Sequence, residues 1–173
     1  FHEPGALYQL SRNGRHFIAG LLRYAPEFTA ITNQYVNSYK RFVKGSFAPT
    51  KTGWSVDNRT AGFRLCGEDT PAARIECRIG GSDLNPYLAE AALLAAGLRG
   101  IEEGLDLGPA TKGDLYEAGD DDHIPRTLRH ATEALRGSAM LRTAMGDEVI
   151  DHYVRCAEWE QEEFDRYLIA IAT

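Results

Sequence analysis

The chain has 173 residues, of which 43% are hydrophobic, 10% aromatic and 25% charged, and its formal net charge is −6. The length fits one compact domain or part of a larger one, and these proportions exclude a disordered or collagen-like chain. The acidic balance disfavours nucleic acid as a partner. The longest weakly polar run, residues 86–98, is too short to span a bilayer core of about 30 Å, so no membrane association is expected.

The first predicted element is an amphipathic helix over residues 14–29, because apolar side chains such as Phe17 and Leu21 recur there at helical spacing. Pro26 marks its end or a kink. Residues 33–58 are predicted as a loop, since Asn, Gly, Ser and Pro recur without a lasting apolar period. A loop of this length inside a compact domain tends to be functional.

Two strands follow, because residues 59–66 and 73–79 both alternate between polar and apolar side chains. A polar turn over residues 67–71 joins them. The pattern therefore predicts an antiparallel hairpin.

The next helix has a well-marked start and end. Asn85 and Pro86 supply an N-cap and a first-turn proline for a helix through Glu103, and Gly104 can close it. Its Ala- and Leu-rich body predicts a buried helix. The acidic residues 114–123, which include a run of three aspartates, predict a solvated loop, because their spacing is not that of an EF-hand calcium site.

Two further helices complete the predicted elements, over residues 125–144 and 148–172, separated by Gly146 and Asp147. The second is predicted to bury Val149, Tyr153, Cys156, Phe164, Leu168 and Ile171.

Charge is unevenly distributed along the chain. Residues 39–78 carry eight Lys or Arg against four Asp or Glu, whereas residues 100–173 carry seven against seventeen. An anionic ligand is therefore expected at the basic middle of the chain.

The three cysteines lack CxxC spacing, which disfavours a disulfide framework or a zinc site and makes a reducing cytoplasm the expected compartment.

The second strand carries the most informative pattern. Its alternation places Arg74, Glu76 and Arg78 on one face, and with Arg59 and Arg64 on the partner strand they form an arginine group around a single carboxylate. Arginine forks match the oxygens of phosphates and carboxylates, and an ionised Glu can bind a hard cation, so the group fits phosphoryl transfer. The alternative is a solvated sheet face with weak ion pairs.

Five strings, in this order and spacing, resemble the glutamine synthetase family. They are Asn37-Ser38-Tyr39-Lys40-Arg41-Phe42, Ala48-Pro49, Trp54-Ser55-Val56-Asp57-Asn58-Arg59-Thr60, Arg74-Ile75-Glu76-Cys77-Arg78 and Asn85-Pro86-Tyr87-Leu88. The resemblance implies an ATP-dependent ligase that joins the glutamate γ-carboxylate to ammonia or an organic amine through a γ-glutamyl phosphate. The alternative is a non-catalytic homologue with a scaffold or regulatory role.

The resemblance also implies roles for individual residues. Arg41 and Arg78 would bind glutamate, and Arg78 would also stabilise the γ-glutamyl phosphate. Arg59 would face the transferring phosphate, and Arg59, Arg64 and Arg74 would line the ATP phosphates. Glu76 would bind one of two or three Mg²⁺ or Mn²⁺ ions.

The amine site departs from the family pattern. Glutamine synthetases usually have Glu immediately before the Ala-Pro pair, on a flap that takes part in ammonia capture, and this chain has Phe47 there. A hydrophobic side chain cannot take a proton from ammonium but can contact the hydrocarbon part of a larger amine. An organic amine is therefore hypothesised as the nucleophile, with ammonia as the alternative.

The resemblance implies an α+β fold in which a curved antiparallel β-sheet portion is flanked by α-helices. Residues 1–173 correspond to the C-terminal portion of the catalytic domain, and the family's N-terminal β-grasp domain is absent from this chain. The chain alone is therefore expected to lack activity, and the intact protein to be a double-ringed homo-oligomer with active sites between subunits. His2 fits the family's metal- or ATP-binding histidine string; the alternative is an incidental histidine.

Overall fold

The computed structural model describes residues 1–117, 119 and 123–172, without the side chain of residue 172, so the three consecutive aspartates lie outside the described residues. The helices are α1 (Arg12–Thr32), α2 (Pro86–Glu103), α3 (Leu128–Arg136), α4 (Ala139–Met145) and α5 (Asp147–Ala172), and the strands are β1 (Trp54–Val56), β2 (Phe63–Cys66) and β3 (Arg74–Cys77). Short 3₁₀ helices span Leu7–Gln9, Val36–Arg41 and Leu115–Glu117. No helix among these residues is long and apolar enough to cross a membrane.

Helices α1 and α2 pack against each other through glycine. A Cβ atom at Gly20 would lie 2.2 Å from the carbonyl oxygen of Ala96, and one at Gly100 would lie 2.3 Å from that of His16. The two backbones therefore meet at a distance that only glycine permits. Pro26 does not end α1, which continues to Thr32 because its last turns bury a full apolar face.

Helix α2 begins and ends as predicted. The Asn85 side chain accepts hydrogen bonds from the backbone N–H groups of Tyr87 and Leu88, and Gly104 closes the helix in the left-handed conformation. The prediction that the helix is buried holds only for its face of small residues, since Leu94 and Leu98 are more than half exposed.

The prediction of a single helix over residues 125–144 is wrong, because the helix is interrupted at Gly137 and Ser138, between α3 and α4. The Ser138 hydroxyl caps α4 by accepting from the N–H of Leu141, and it donates to Glu27 at 2.5 Å. That hydroxyl therefore anchors the break to α1.

The prediction of which α5 side chains are buried is only partly right, since Tyr153 packs against the core as predicted. Ile150, Val154 and Ala157 are buried against the core, whereas Cys156 is exposed and Ile171 is 63% exposed. The buried stripe lies one residue from the predicted one, because both stripes keep helical spacing and only the packing against α3 and α4 selects between them.

The sheet has the order β1-β2-β3, with β2 and β3 antiparallel as predicted. Strand β1 lies inside the predicted loop of residues 33–58 and pairs in parallel with β2, so the sheet is mixed rather than antiparallel. The inner face of the sheet packs in the same hydrophobic core as α1, through Trp54, Phe63 and Leu65. The predicted α+β class is confirmed, and the outer face of the sheet remains open for polar groups.

Candidate active site

Glu76 lies between two arginines on the outer face of the sheet. It is directly opposite Arg64 in the register of β2 and β3. Its Oε2 atom lies 3.2 Å from Arg64 Nη1, and its Oε1 atom lies 2.9 Å from Arg78 Nη1. The Glu76 side chain is 40% exposed, so the carboxylate is oriented by two guanidinium groups while still accessible from solvent. The predicted grouping of Arg64, Glu76 and Arg78 is therefore present.

Arg64 has a second carboxylate partner that the sequence did not reveal. Asp57, just after β1, accepts from the Nε and Nη2 atoms of Arg64. The hydrogen bond from Arg64 lowers the pKa of Asp57, and the same contact raises the pKa of Arg64. Only the parallel pairing of β1 with β2 brings Asp57 to this face, and its position in the apparent loop gave no signal of that pairing.

Arg78 joins three segments of the chain. Besides Glu76, its Nε atom donates to the carbonyl oxygen of Arg59 at 3.1 Å, and its Nη2 atom donates to that of Phe47 at 3.0 Å. A guanidinium has five N–H groups, so these three contacts leave donors for a further anion. Arg78 thus positions the backbone near Glu76 as well as the carboxylate itself.

Two of the predicted arginines do not touch Glu76. Arg59 lies in the turn before β2 rather than on the strand, and its side chain is exposed. Arg74 is on β3 and also exposed, with one hydrogen bond of 3.5 Å to the carbonyl oxygen of Ala72. The prediction that all four arginines lie on the two strands is therefore wrong for Arg59, and also for Arg78, which follows the end of β3. The exposed side chains of Arg59 and Arg74 remain accessible to a ligand.

Arg41 approaches from the end of the 3₁₀ helix Val36–Arg41. Its guanidinium donates to the carbonyl oxygen of Ile79, just beyond β3, and lies 4.8 Å from the centre of the Phe42 ring. Burial lowers the pKa of Arg41, and Asp83 and Cys77 partly oppose that change. Its buried Nε atom has no hydrogen-bond partner among the described residues.

Phe47 is presented to solvent on a strained backbone. It adopts a φ of 60° in the left-handed region, and its side chain is 64% exposed. The next two residues, Ala48 and Pro49, are buried and anchor the loop. The hydrogen bond from Arg78 to the Phe47 carbonyl oxygen holds this residue beside Arg64, Glu76 and Arg78, which we call the Glu76 group.

His2 and Glu76 have separate partners in the structure. His2 pairs with Leu10 in an isolated bridge, and its Nε2 atom lies 3.1 Å from Gln9 Oε1, whereas Glu76 contacts Arg64, Arg78 and, at 3.9 Å, Cys66. Across the described residues there is no group of three or more His, Cys, Asp or Glu side chains placed to hold a metal. Glu76 can still be one ligand, since a carboxylate has about four lone-pair sites and the arginines occupy two.

Two surface grooves, of about 500 and 530 Å³, lie elsewhere. One is between α1, α2 and α4, and the other is between the end of α1 and α5. Neither is lined by Arg64, Glu76 or Arg78. The Glu76 side chain is 40% exposed, so this polar group opens to solvent.

The family model of the glutamine synthetase catalytic domain matches residues 1–172. The chain belongs to the glutamine synthetase family. It is 47% identical over 151 residues to a gamma-glutamylethanolamide synthetase of Streptomyces coelicolor, covering 87% of this chain and 32% of that protein. It is 40% identical to a glutamine synthetase of Thermus thermophilus, covering 97% of this chain and 41% of the relative.

A solved structure titled apo GmaS without ligand has the same fold. The TM-score is 0.83 at 31% sequence identity, over 95% of this chain and 38% of that one. The chain thus spans about a third to two fifths of the length of these relatives.

Proposed function

We propose that the protein containing this chain is an ATP-dependent ligase that joins the γ-carboxylate of glutamate to ammonia or an organic amine. Membership of the glutamine synthetase family supports the reaction class. The observation that carries the proposal is the Glu76 carboxylate held between Arg64 and Arg78 on adjacent strands. The alternative is a non-catalytic homologue, for which this group of charges would have no use.

The roles proposed for the arginines follow from their chemistry. Phosphoryl transfer to the glutamate carboxylate builds negative charge on the transferred group, and guanidinium forks stabilise such charge. We assign Arg59, Arg64 and Arg74 to the ATP phosphates, with Arg59 nearest the transferred one. Arg41 and Arg78 are assigned to glutamate, and Arg78 has N–H groups left over for the γ-glutamyl phosphate.

Glu76 is proposed as a ligand of Mg²⁺ or Mn²⁺. Its charge and partial exposure suit a hard cation, and its remaining lone pairs are available. When bound, the cation would neutralise phosphate charge. Among the described residues no three or more His, Cys, Asp or Glu side chains are grouped to hold a metal, so we assign the other ligands of two or three ions to the rest of the intact enzyme, and keep His2 as a candidate ligand.

We infer that the nucleophile is an organic amine. Phe47 stands where the family has a glutamate, and its exposed ring offers apolar contact to a carbon chain. The 47% identical relative is named for a γ-glutamyl amide of ethanolamine, which favours the same class. Ammonia is the competing substrate.

The test uses the intact protein with ATP, glutamate and Mg²⁺ or Mn²⁺, and measures phosphate release with ammonia, ethanolamine and longer amines in separate reactions. Release that depends on glutamate and an organic amine supports the proposal. Release with ammonia alone overturns the amine assignment, and no release with any amine favours the non-catalytic homologue.

We also propose which part of the catalytic domain this chain forms and that the intact protein is an oligomer. Residues 1–173 form the C-terminal part of the catalytic domain, and the chain by itself should release no phosphate in the same assay. We expect the intact protein to be a homo-oligomer, in agreement with exposed apolar side chains such as Tyr167 and Ile171 near the end of α5. Light scattering of the intact protein measures its mass, and a monomer contradicts this expectation.

A further inference from the structure

The loop of residues 42–50, which carries Phe47, is held from two sides through its backbone. On one side Arg78 donates to the carbonyl oxygen of Phe47 at 3.0 Å. On the other side the Tyr116 hydroxyl donates to the carbonyl oxygen of Ala48 at 2.7 Å. The position of the Phe47 ring therefore depends on a tyrosine about 70 residues further along the chain.

Tyr116 belongs to the 3₁₀ turn Leu115–Glu117, and that turn is fixed to the sheet. The Leu115 side chain is 2% exposed, and its N–H donates to the Thr60 hydroxyl at 3.0 Å. Just before the turn, the N–H of Thr111 donates to the carbonyl oxygen of Trp54 at 2.9 Å. The turn is therefore supported by β1 and by the turn before β2, next to the strands that carry Arg64 and Glu76.

A second contact links this turn to the exposed part of the loop. The Lys44 ammonium forms an ion pair with Glu117, and both side chains are about two thirds exposed. An exposed ion pair of this kind contributes little to stability and is screened by salt. The Tyr116 hydrogen bond, whose acceptor is on the buried residue Ala48, is therefore the stronger tie.

We propose that Tyr116 is a positioning residue for the amine site: its hydroxyl fixes Ala48 and so holds the Phe47 ring at the distance from the Glu76 group that suits the amine substrate. This inference rests on the proposed function, because it takes Phe47 as part of the amine site. Tyr116 itself touches no reacting atom. Its largest effect is expected on the amine, because Glu76 is held by Arg64 and Arg78 through contacts in which Tyr116 takes no part.

The test is Tyr116→Phe in the intact protein, with Tyr24→Phe, which removes the hydroxyl hydrogen bonds to Glu103 between α1 and α2, as the matched control. Losing one hydroxyl hydrogen bond should raise KM for the amine roughly fivefold, with KM for ATP and glutamate changed by less than about twofold. The control should leave all three KM values unchanged. A purely structural role predicts equal rises in all three, with a lower unfolding midpoint, and that result overturns the proposal.

A second measurement needs no activity. Trypsin can cleave after Lys44 in the exposed loop when the loop opens, and Tyr116→Phe should raise the native-state cleavage rate there roughly fivefold. An unchanged cleavage rate, or faster cleavage with an unchanged amine KM, overturns the positioning role. If the intact wild-type protein has no ligase activity the proposed function fails, and the cleavage rate alone then decides whether Tyr116 holds the loop.

Discussion

Arg64 and Glu76 face each other directly across the antiparallel pair of β2 and β3, with 3.2 Å between Nη1 and Oε2. Their pairing is set by the strand register, so the sheet itself orients the carboxylate before any ligand arrives. Arg78 holds the other oxygen at 2.9 Å. This orientation by two neighbours is what a ligand of a catalytic cation requires.

Glu76→Gln in the intact protein should lower ATP- and glutamate-dependent phosphate release by about 100-fold or more, because the amide cannot supply the charge that a hard cation needs. Glu90→Gln, on the exposed side of α2, is the control and should retain wild-type activity. Raising the Mn²⁺ concentration should partly restore Glu76→Gln. Full activity in that variant would remove Glu76 from the metal site.

Phe47→Glu should shift substrate preference from organic amines toward ammonia, because the new carboxylate can stabilise ammonium and removes the apolar contact. The ratio of kcat/KM for ammonia to that for ethanolamine should rise at least about tenfold. Val43→Glu, on the exposed part of the same loop, controls for added charge. An equal change in both variants would mean that Phe47 does not contact the amine.

Asp57→Asn should weaken the pH dependence of the free energy of unfolding at acidic pH. Arg64 lowers the pKa of Asp57, so the ionised carboxylate contributes stability that is present above about pH 4 and is lost as pH falls through the lowered folded-state value. The difference in urea midpoint between wild type and variant should therefore shrink between about pH 5 and pH 2. Asp106→Asn, an exposed aspartate without an ion pair among the described residues, should show no such trend.

Ile150→Ala should destabilise the protein by about 2–5 kcal/mol, because its side chain is fully buried in the core. Leu94→Ala, on α2 and 55% exposed, should change the free energy of unfolding by less than about 0.5 kcal/mol. Urea denaturation measures both. An equal loss for Leu94→Ala would mean that burial in the core does not separate the two positions.

Gly100→Ala should destabilise the protein by about 1–3 kcal/mol or more, because the added Cβ would lie 2.3 Å from the carbonyl oxygen of His16 and force α1 and α2 apart. Gly137→Ala is the matched control: the nearest atoms to its Cβ are 3.6 Å away or further. Thermal unfolding should separate the two variants. Similar midpoints would mean that the helix crossing can relax.

The sequence was informative where local rules decide the structure. The cap at Asn85 and the left-handed Gly104 fixed both ends of α2, and alternation fixed the β2–β3 hairpin. The same alternation placed Arg64 and Glu76 on one face. These features depend on spacing over a few residues, which the sequence displays directly.

Features that depend on distant partners were missed. Strand β1 has three residues and gains its pairing from β2, so nothing local distinguished it from a loop. Asp57 and Tyr116 reach the site through that pairing and through the turn packed on it. The buried stripe of α5 was displaced by one residue because its choice depends on neighbouring helices and not on its own period.

Both hydrogen bonds that hold residues 47 and 48 end on main-chain oxygens. A substitution at position 47 therefore keeps both hydrogen bonds, within the limit that the positive φ sets on the side chains tolerated there. Under the proposed function, the amine preference can then change at this one side chain while the two anchors of the loop stay in place.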